Sequence, residues 1–353
     1  MRKVIIFIDA LPFDYVSKSE TIKDLLEDFK NPIRLVPELG YSSNQHMALF
    51  CGKLPNDCGY LGDYSLDKKK LSKKFKQLMT HNSFVNYLLK RLASIFSGKL
   101  NNIPIGLGSL FINDGIYPLK NANSLKEADE RYRRYQFHDV KDLLDFDSFN
   151  KNVDYSKDQF CVINQIDHAG HIYGTEGEGY HREIDHLVSF LQKFFNKLHS
   201  NSSIVILSDH GMSNRPNKTS LDLEKVLGSQ GDDKYIYFVD SSVCKLWYFD
   251  EEIKIKARKY FDSLRTGRLI SEEDKKYWGV TNEICDDIFV LNSTFYFEPQ
   301  YFGFGLRSKT LGMHGSLPEC KDQHGILISN EESQVPTLRN KDVFNWFQDH
   351  GFL

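Results

Sequence analysis

Residues 203–212 read SIVILSDHGM: an apolar, largely β-branched run that stops at Ser208 and is followed at once by a carboxylate and an imidazole. A continuous apolar run of this length reads as a strand buried on both faces, as in a parallel sheet. Two other stretches repeat the pattern. Lys3–Ile8, KVIIFI, runs into Asp9, and residues 160–166, FCVINQI, run into Asp167. Helical spacing lies between them, most clearly over residues 180–199, where Ile184, Leu187, Val188, Leu191, Phe194 and Leu198 share one face. Alternating strands and helices predict a doubly wound, mostly parallel α/β sheet sandwiched by helices. Ligands of such sheets bind beyond the carboxyl ends of the strands. Asp9, Asp167 and Asp209 are therefore expected along one edge.

The rest of the chain sets bounds on this core. Its 353 residues, 41% hydrophobic and 26% charged, suffice for one large catalytic domain with insertions. A single domain over 1–353 is expected, with cap insertions at 64–150 and 216–305. The first insertion region carries a helical pattern over 83–95. The second carries one over 251–264, with strand-like runs at Tyr235–Val239 and Asp287–Leu291. A net charge of -3 shows no general nucleic-acid footprint. Six cysteines with no CxxC pair fit a reducing compartment. The opening apolar run, Val4 to Ile8, is too short for a signal peptide, and no stretch approaches the ~20 residues of a membrane span. The expectation is a cytoplasmic protein. A basic run from Lys68 to Lys76 reads mainly as a solvated helix face, with weak attraction to anionic surfaces as its sharper reading.

Four segments carry residues suited to chemistry. In DHAGH, Asp167 and His171 are four apart and share a face if the chain turns helically after its strand. In SDHG, Asp209 and His210 stand at a strand end, where a bend lets both reach one ion and Gly211 relieves crowding. His314, in MHG, precedes the apolar run 325–328. Ser42, in YSSNQHMALFCG, precedes a helix-like stretch that ends at Gly52. Capping is the usual role of such a serine, but a helix start also favours a developing alkoxide and binds phosphate. Each segment alone reads as structural. Together they give three Asp, three His and a hydroxyl, about the number that two four-coordinate ions sharing a phosphate require.

In this order the motifs FIDALP, YSSNQHMALFCGKLP, DHAGHIYG, SDHGM and MHG resemble the alkaline phosphatase superfamily, most closely its type I phosphodiesterase and nucleotide pyrophosphatase branch. The resemblance implies an alkaline phosphatase-like core, two Zn2+ ions with Mn2+ as the alternative, and a small-molecule phosphate ester as substrate. Carried over by position, Asp167, His171 and His314 would hold the first ion. Asp9, Asp209 and His210 would hold the second, with Ser42 Oγ beside it as nucleophile. The implied reaction is a double displacement through phospho-Ser42. The chain departs from the family where LGD places Asp63 at the position of a phosphate-binding Asn. A carboxylate there disfavours a phosphate unless it is protonated, turned away or paired with a substrate cation. An amine-bearing diester would meet the last condition. No motif assigns a phosphate-binding arginine among Arg34, Arg131, Arg133, Arg134 and Arg307. SSNQH at residues 42–46 lacks the sulfatase core. Phosphodiester hydrolysis is the expected activity. Phosphomonoesterase or phosphotransferase/mutase chemistry is the alternative, and a non-catalytic metal-binding module is the reading from another class.

Overall fold

A computed structural model of the chain describes residues 1–27, 29–71, 110–214, 216–231, 233–301, 310–332 and 335–353. The central sheet holds seven strands: β1 (Lys3–Ile8), β2 (Ile33–Val36), β3 (Tyr135–Val140), β4 (Asp158–Ile163), β5 (Ser203–Leu207), β6 (Gly325–Ser329) and β7 (Thr337–Arg339), in the order β7-β2-β6-β5-β1-β4-β3. β1 lies parallel between β4 and β5, with Val4 opposite Gln159 and Lys3 opposite Ser203. β6 alone runs against its neighbours. Every residue of β1 is buried, as its unbroken apolar run requires. Its side chains alternate between two layers. Val4, Ile6 and Ile8 face the layer with Ile184, Leu187 and Leu191 of a long helix. Ile5 and Phe7 face Leu49, Phe50, Val343 and Phe347 on the other side.

The helices that position the site are α1 (Ser42–Cys51), α2 (Gln165–Tyr173), α3 (Glu178–Phe195) and α4 (Asn340–Asp349). α1 ends at Gly52, whose φ of 64° is the left-handed cap conformation that glycine adopts without strain. The expected strand over 160–166 is corrected. β4 starts at Asp158 and stops at Ile163, and Asp167 lies in the first turn of α2 rather than directly past a strand. Asn164 ends the apolar run, and the polar pattern that follows is read by the chain as helix.

A second sheet stands beside the core, with antiparallel strands in the order Tyr235–Val239, Val243–Tyr248, Asp287–Leu291 and Gly267–Leu269. Helix Glu251–Ser263 covers one face through Ala257 and Phe261. The other face packs Ile236, Phe238 and Trp247 against Leu39, Leu61 and Tyr64. The 64–150 region divides. Tyr64–Leu66 and Phe111–Asn113 form a small hairpin-like sheet, whereas β3 is the edge strand of the core. The helical pattern at 83–95 and most of the basic run after Lys70 lie outside the described residues. Among the described residues no helix is long and apolar enough to cross a membrane.

Candidate active site

Asp9 follows β1 directly, and its N–H donates to Ile163 O at 2.9 Å, so the β1 and β4 ends stay in register into the loop. Asp209 and His210 follow β5 after Ser208. Ser208 N–H donates to Ile326 O (2.8 Å), its hydroxyl donates to His210 O (2.8 Å), and the same oxygen accepts from Leu11 N (2.8 Å). The loop is thereby fixed on both sides. Gly211 is required by close approach, since a Cβ there would lie 2.3 Å from Asp322 O. His314 returns through a two-residue ladder, in which Gly312 and Met313 pair with Asn214 and Ser213.

Six side chains gather into two groups of three. In each group the ligating atoms lie within 4.8 Å of one another: Asp167, His171 and His314 in one, Asp9, Asp209 and His210 in the other. In the first, Asp167 Oδ1 is 3.4 Å from His171 Nε2 and 3.6 Å from His314 Nε2. In the second, His210 Nε2 is 3.6 Å from Asp9 Oδ1 and 3.4 Å from Asp209 Oδ2. The groups adjoin, because the His210 and His314 rings stack at 3.9 Å.

The donor set fits cations. Asp9 Oδ1, Asp167 Oδ1, Asp209 Oδ2 and His314 Nδ1 are buried without a hydrogen-bond partner. Buried polar atoms rarely stay unpaired. His171 donates from Nδ1 to Gly312 O and His210 from Nδ1 to Gly211 O, both at 2.9 Å, which leaves each Nε2 lone pair for a ligand. Burial, with Asp209 and Asp167 beside it, pushes the Asp9 carboxyl well above the usual range. Burial, with His210 and His171 beside it, pushes the His314 imidazole well below its usual value. A bound cation stabilises the ionised form of such a carboxylate, and an imidazole kept neutral offers a ring-nitrogen lone pair as a ligand.

Ser42 is the first residue of α1, not its cap. Tyr41 holds the cap position in extended conformation and makes no side-chain cap bond. Ser42 Oγ is thus free to face the site, 3.4 Å from His210 Nε2. The helix start is held from two sides. Tyr41 Oη accepts from Ser242 N (2.9 Å), and Asn44 Oδ1 accepts from Gly62 N (2.6 Å). The second bond carries the loop of Asp63 against α1. Asp63 Oδ1 is buried without a partner, and the Tyr117 hydroxyl faces both Asp63 and Ser43.

Sequence reasoning gave no role to three groups here. Asp240 is buried and raised to about 7, chiefly by burial, with Asp63 adding to the shift and Lys245 opposing it. His46, 3.6 Å from Asp209 Oδ2, is pushed down to about 4 by burial. Asn340 donates to Asp209 O. His46 lies within the YSSNQHMALFCG motif without an assigned role, whereas Asp240 and Asn340 sit in no recognisable motif. Asp240 is brought in by the second sheet, and Asn340 by the last helix. The arginines that lacked a motif are committed elsewhere where described: Arg34 to Asp14, Arg131 to Asp129, Arg133 to Glu130 and Arg134 to Asp158. Arg307 lies outside the described residues.

The family model for type I phosphodiesterase / nucleotide pyrophosphatase matches residues 3–268. The chain belongs to that family. It is a phosphoric ester hydrolase of the alkaline phosphatase superfamily, and the family is metal-dependent. No curated protein matches the sequence. Among solved structures, murine ectonucleotide pyrophosphatase/phosphodiesterase 5 is 14% identical, with a TM-score of 0.63 over 100% of this chain and 95% of that one. The human form is 13% identical, with a TM-score of 0.62 over 99% and 94%. Phosphonoacetate hydrolase from Sinorhizobium meliloti 1021 is 12% identical, with a TM-score of 0.63 over 98% and 94%. At these identities the likeness is one of fold.

Proposed function

We propose that the protein hydrolyses phosphodiesters in two displacements through Ser42. The observation that carries this reading is the placement of Ser42 Oγ at a helix start, 3.4 Å from His210 Nε2 and beside two adjoining three-ligand groups. Asp167, His171 and His314 would hold one zinc ion. Asp9, Asp209 and His210, with Ser42 Oγ, would hold the other, manganese being the alternative at both. When bound, the ions neutralise charge on the phosphate oxygens and favour the ionised hydroxyl. The chain supplies the rest. Ser42 Oγ forms a bond to phosphorus as the bond to the leaving oxygen breaks, and the serine proton ends on the departing alcohol. The α1 N-terminus favours the negative charge of the phosphate. Water then attacks the same phosphorus, and Ser42 Oγ leaves with one of its protons, releasing a monoester.

A diester is preferred over a monoester because it carries one negative charge, not two. Asp63 acts on His46 and Asp240 on Tyr41, both beside the start of α1, and Lys245, the cation acting on Asp240, donates to Leu61 O and Tyr64 O. The same carboxylates favour a diester that carries an amine, which is a second reading of the substrate. AMP is bound in an inactive form of the murine relative, which keeps nucleotide diesters among the substrates to test. A phosphotransferase would use the same residues with an alcohol in place of water. We place the protein in the reducing cytoplasm, a reading supported by its six unpaired cysteines.

The test is turnover of bis-p-nitrophenyl phosphate against p-nitrophenyl phosphate by metal-replete protein, with Ser42→Ala alongside. Diester preference lost in the variant supports the reading. Monoester preference moves it to a phosphatase, and full activity of Ser42→Ala refutes the nucleophile.

A further inference from the structure

The last helix reaches the site through one side chain. Asn340, the first residue of α4, is fully buried. Its Nδ2 donates to Asp209 O at 2.6 Å and to Gln45 Oε1 at 2.8 Å. The orientation of the amide follows from chemistry: both partners are acceptors, so the nitrogen and not the oxygen must face them. Gln45 is itself fixed. Its Oε1 accepts from Glu38 N (2.8 Å) and its Nε2 donates to Glu38 O (2.7 Å). Glu38 closes the loop back to α4, accepting from Lys341 N at 3.2 Å and pairing with Arg339.

The two acceptors belong to the two halves of the site. Asp209 O is part of the peptide that joins Asp209 to His210, the adjacent residues of one ligand group. Anchoring that carbonyl fixes the backbone between the two ligand side chains. Gln45 is three residues along α1 from Ser42. A single amide therefore ties the ligand loop to the helix that carries the nucleophile.

We propose that Asn340 is a positioning residue that sets the Asp9–Asp209–His210 group and Ser42 relative to each other. The inference rests on the two-ion reading of the site. Metal–ligand distances fall within about 0.2 Å of their standard values, and groups that orient ligands typically cost about 10–100-fold in metal affinity or activity when removed. Asn340 touches neither substrate nor ion. It acts through Asp209, His210 and α1.

The experiment titrates metal-free protein with zinc by calorimetry and follows diester turnover. It compares wild type with Asn340→Leu, and with Asn340→Ala should leucine not be accommodated. Val343→Ala is the control. Val343 lies on the same helix, fully buried in the apolar cluster behind the sheet, and its truncation loosens α4 without removing either hydrogen bond. The expected result is that one of the two ions binds about 10–100-fold more weakly in the Asn340 variants. The other ion is unchanged, kcat falls by a similar factor, and KM stays within about twofold. Val343→Ala, despite a lower Tm, keeps both affinities. The proposal is overturned if both ions bind the Asn340 variants as tightly as wild type. It is equally overturned if Val343→Ala, at an equal loss of Tm, weakens the same ion to the same degree. Wild-type protein that binds fewer than two ions fails the two-ion reading itself, in a measurement that precedes any variant, and the inference falls with it.

Discussion

Asp240 carries a prediction of its own at the scale of single residues. Its carboxyl is raised to about 7 by burial, with Asp63 adding to the shift. A folded-state pKa above the unfolded value, near 3.9, means that the folded protein holds a proton the unfolded chain releases. The associated stability is full below about pH 4 and is lost as pH rises to about 7. Asp240→Asn should flatten that decline, equal wild type near pH 4 and melt higher at pH 8, as read by thermal denaturation across pH. Ser42→Ala should lose about a thousandfold or more in diester turnover, while ion stoichiometry measured on the same samples stays within one ion of wild type. The seven residues proposed as ligands and nucleophile were legible in the sequence because each stands in a short motif of Asp, His or Ser next to a strand or helix end. Asp240 and His46 were not. Their significance is burial beside a carboxylate, and burial is a property of the fold, not of the neighbouring letters.

Among the elements, the helix after β4 does the most to shape the site. Asp167 and His171 stand four apart on α2, and the helical turn brings Nε2 to 3.4 Å from the carboxylate. The sequence pattern placed the strand three residues too far, since the apolar run FCVINQI does not itself mark where strand becomes helix. Ile163 ends β4, and the polar residues Asn164 and Gln165 begin the turn. The strands β1 and β5 and the course of α3 were legible because each has an unbroken apolar run or a full helical period. Gly211 belongs to this scale too. Its missing side chain lets the ligand loop lie against the backbone of Asp322 and His324, where a Cβ would sit 2.3 and 2.8 Å from carbonyl oxygens. Gly211→Ala should cost about 1–3 kcal/mol, measured by urea unfolding, and should weaken metal binding in the same titration.

Over the whole molecule, the site is assembled from distant parts of the chain. Asp9 and Ser42 come from the first 50 residues, His314 from a short ladder near the end, and the Asn340 amide from the last helix. The second sheet supplies the Tyr41 anchor at Ser242 and the carboxylate of Asp240. The mostly parallel sheet was legible from the unbroken apolar runs and the helical patterns between them. The division of 64–150 between a small sheet and the core edge strand β3 was not, because YQFHDV mixes polar and apolar residues in a way that a surface loop also would. Gathering three carboxylates, each with a buried oxygen that lacks a partner, ties folding to the ions. Chelation should therefore abolish turnover and lower stability, by about 2.7 kcal/mol for each ion that had been held at a hundred times its Kd, with recovery on adding zinc. The most direct test of the account is to mix metal-replete protein with a diester, quench it in acid within a turnover, and weigh the peptide that contains Ser42. The expected result is an adduct on Ser42 with the mass of the phosphoryl group plus the ester group it retains, absent from chelated protein and from Ser42→Ala. Rapid diester turnover with no adduct on Ser42, matched by an active Ser42→Ala, would contradict it.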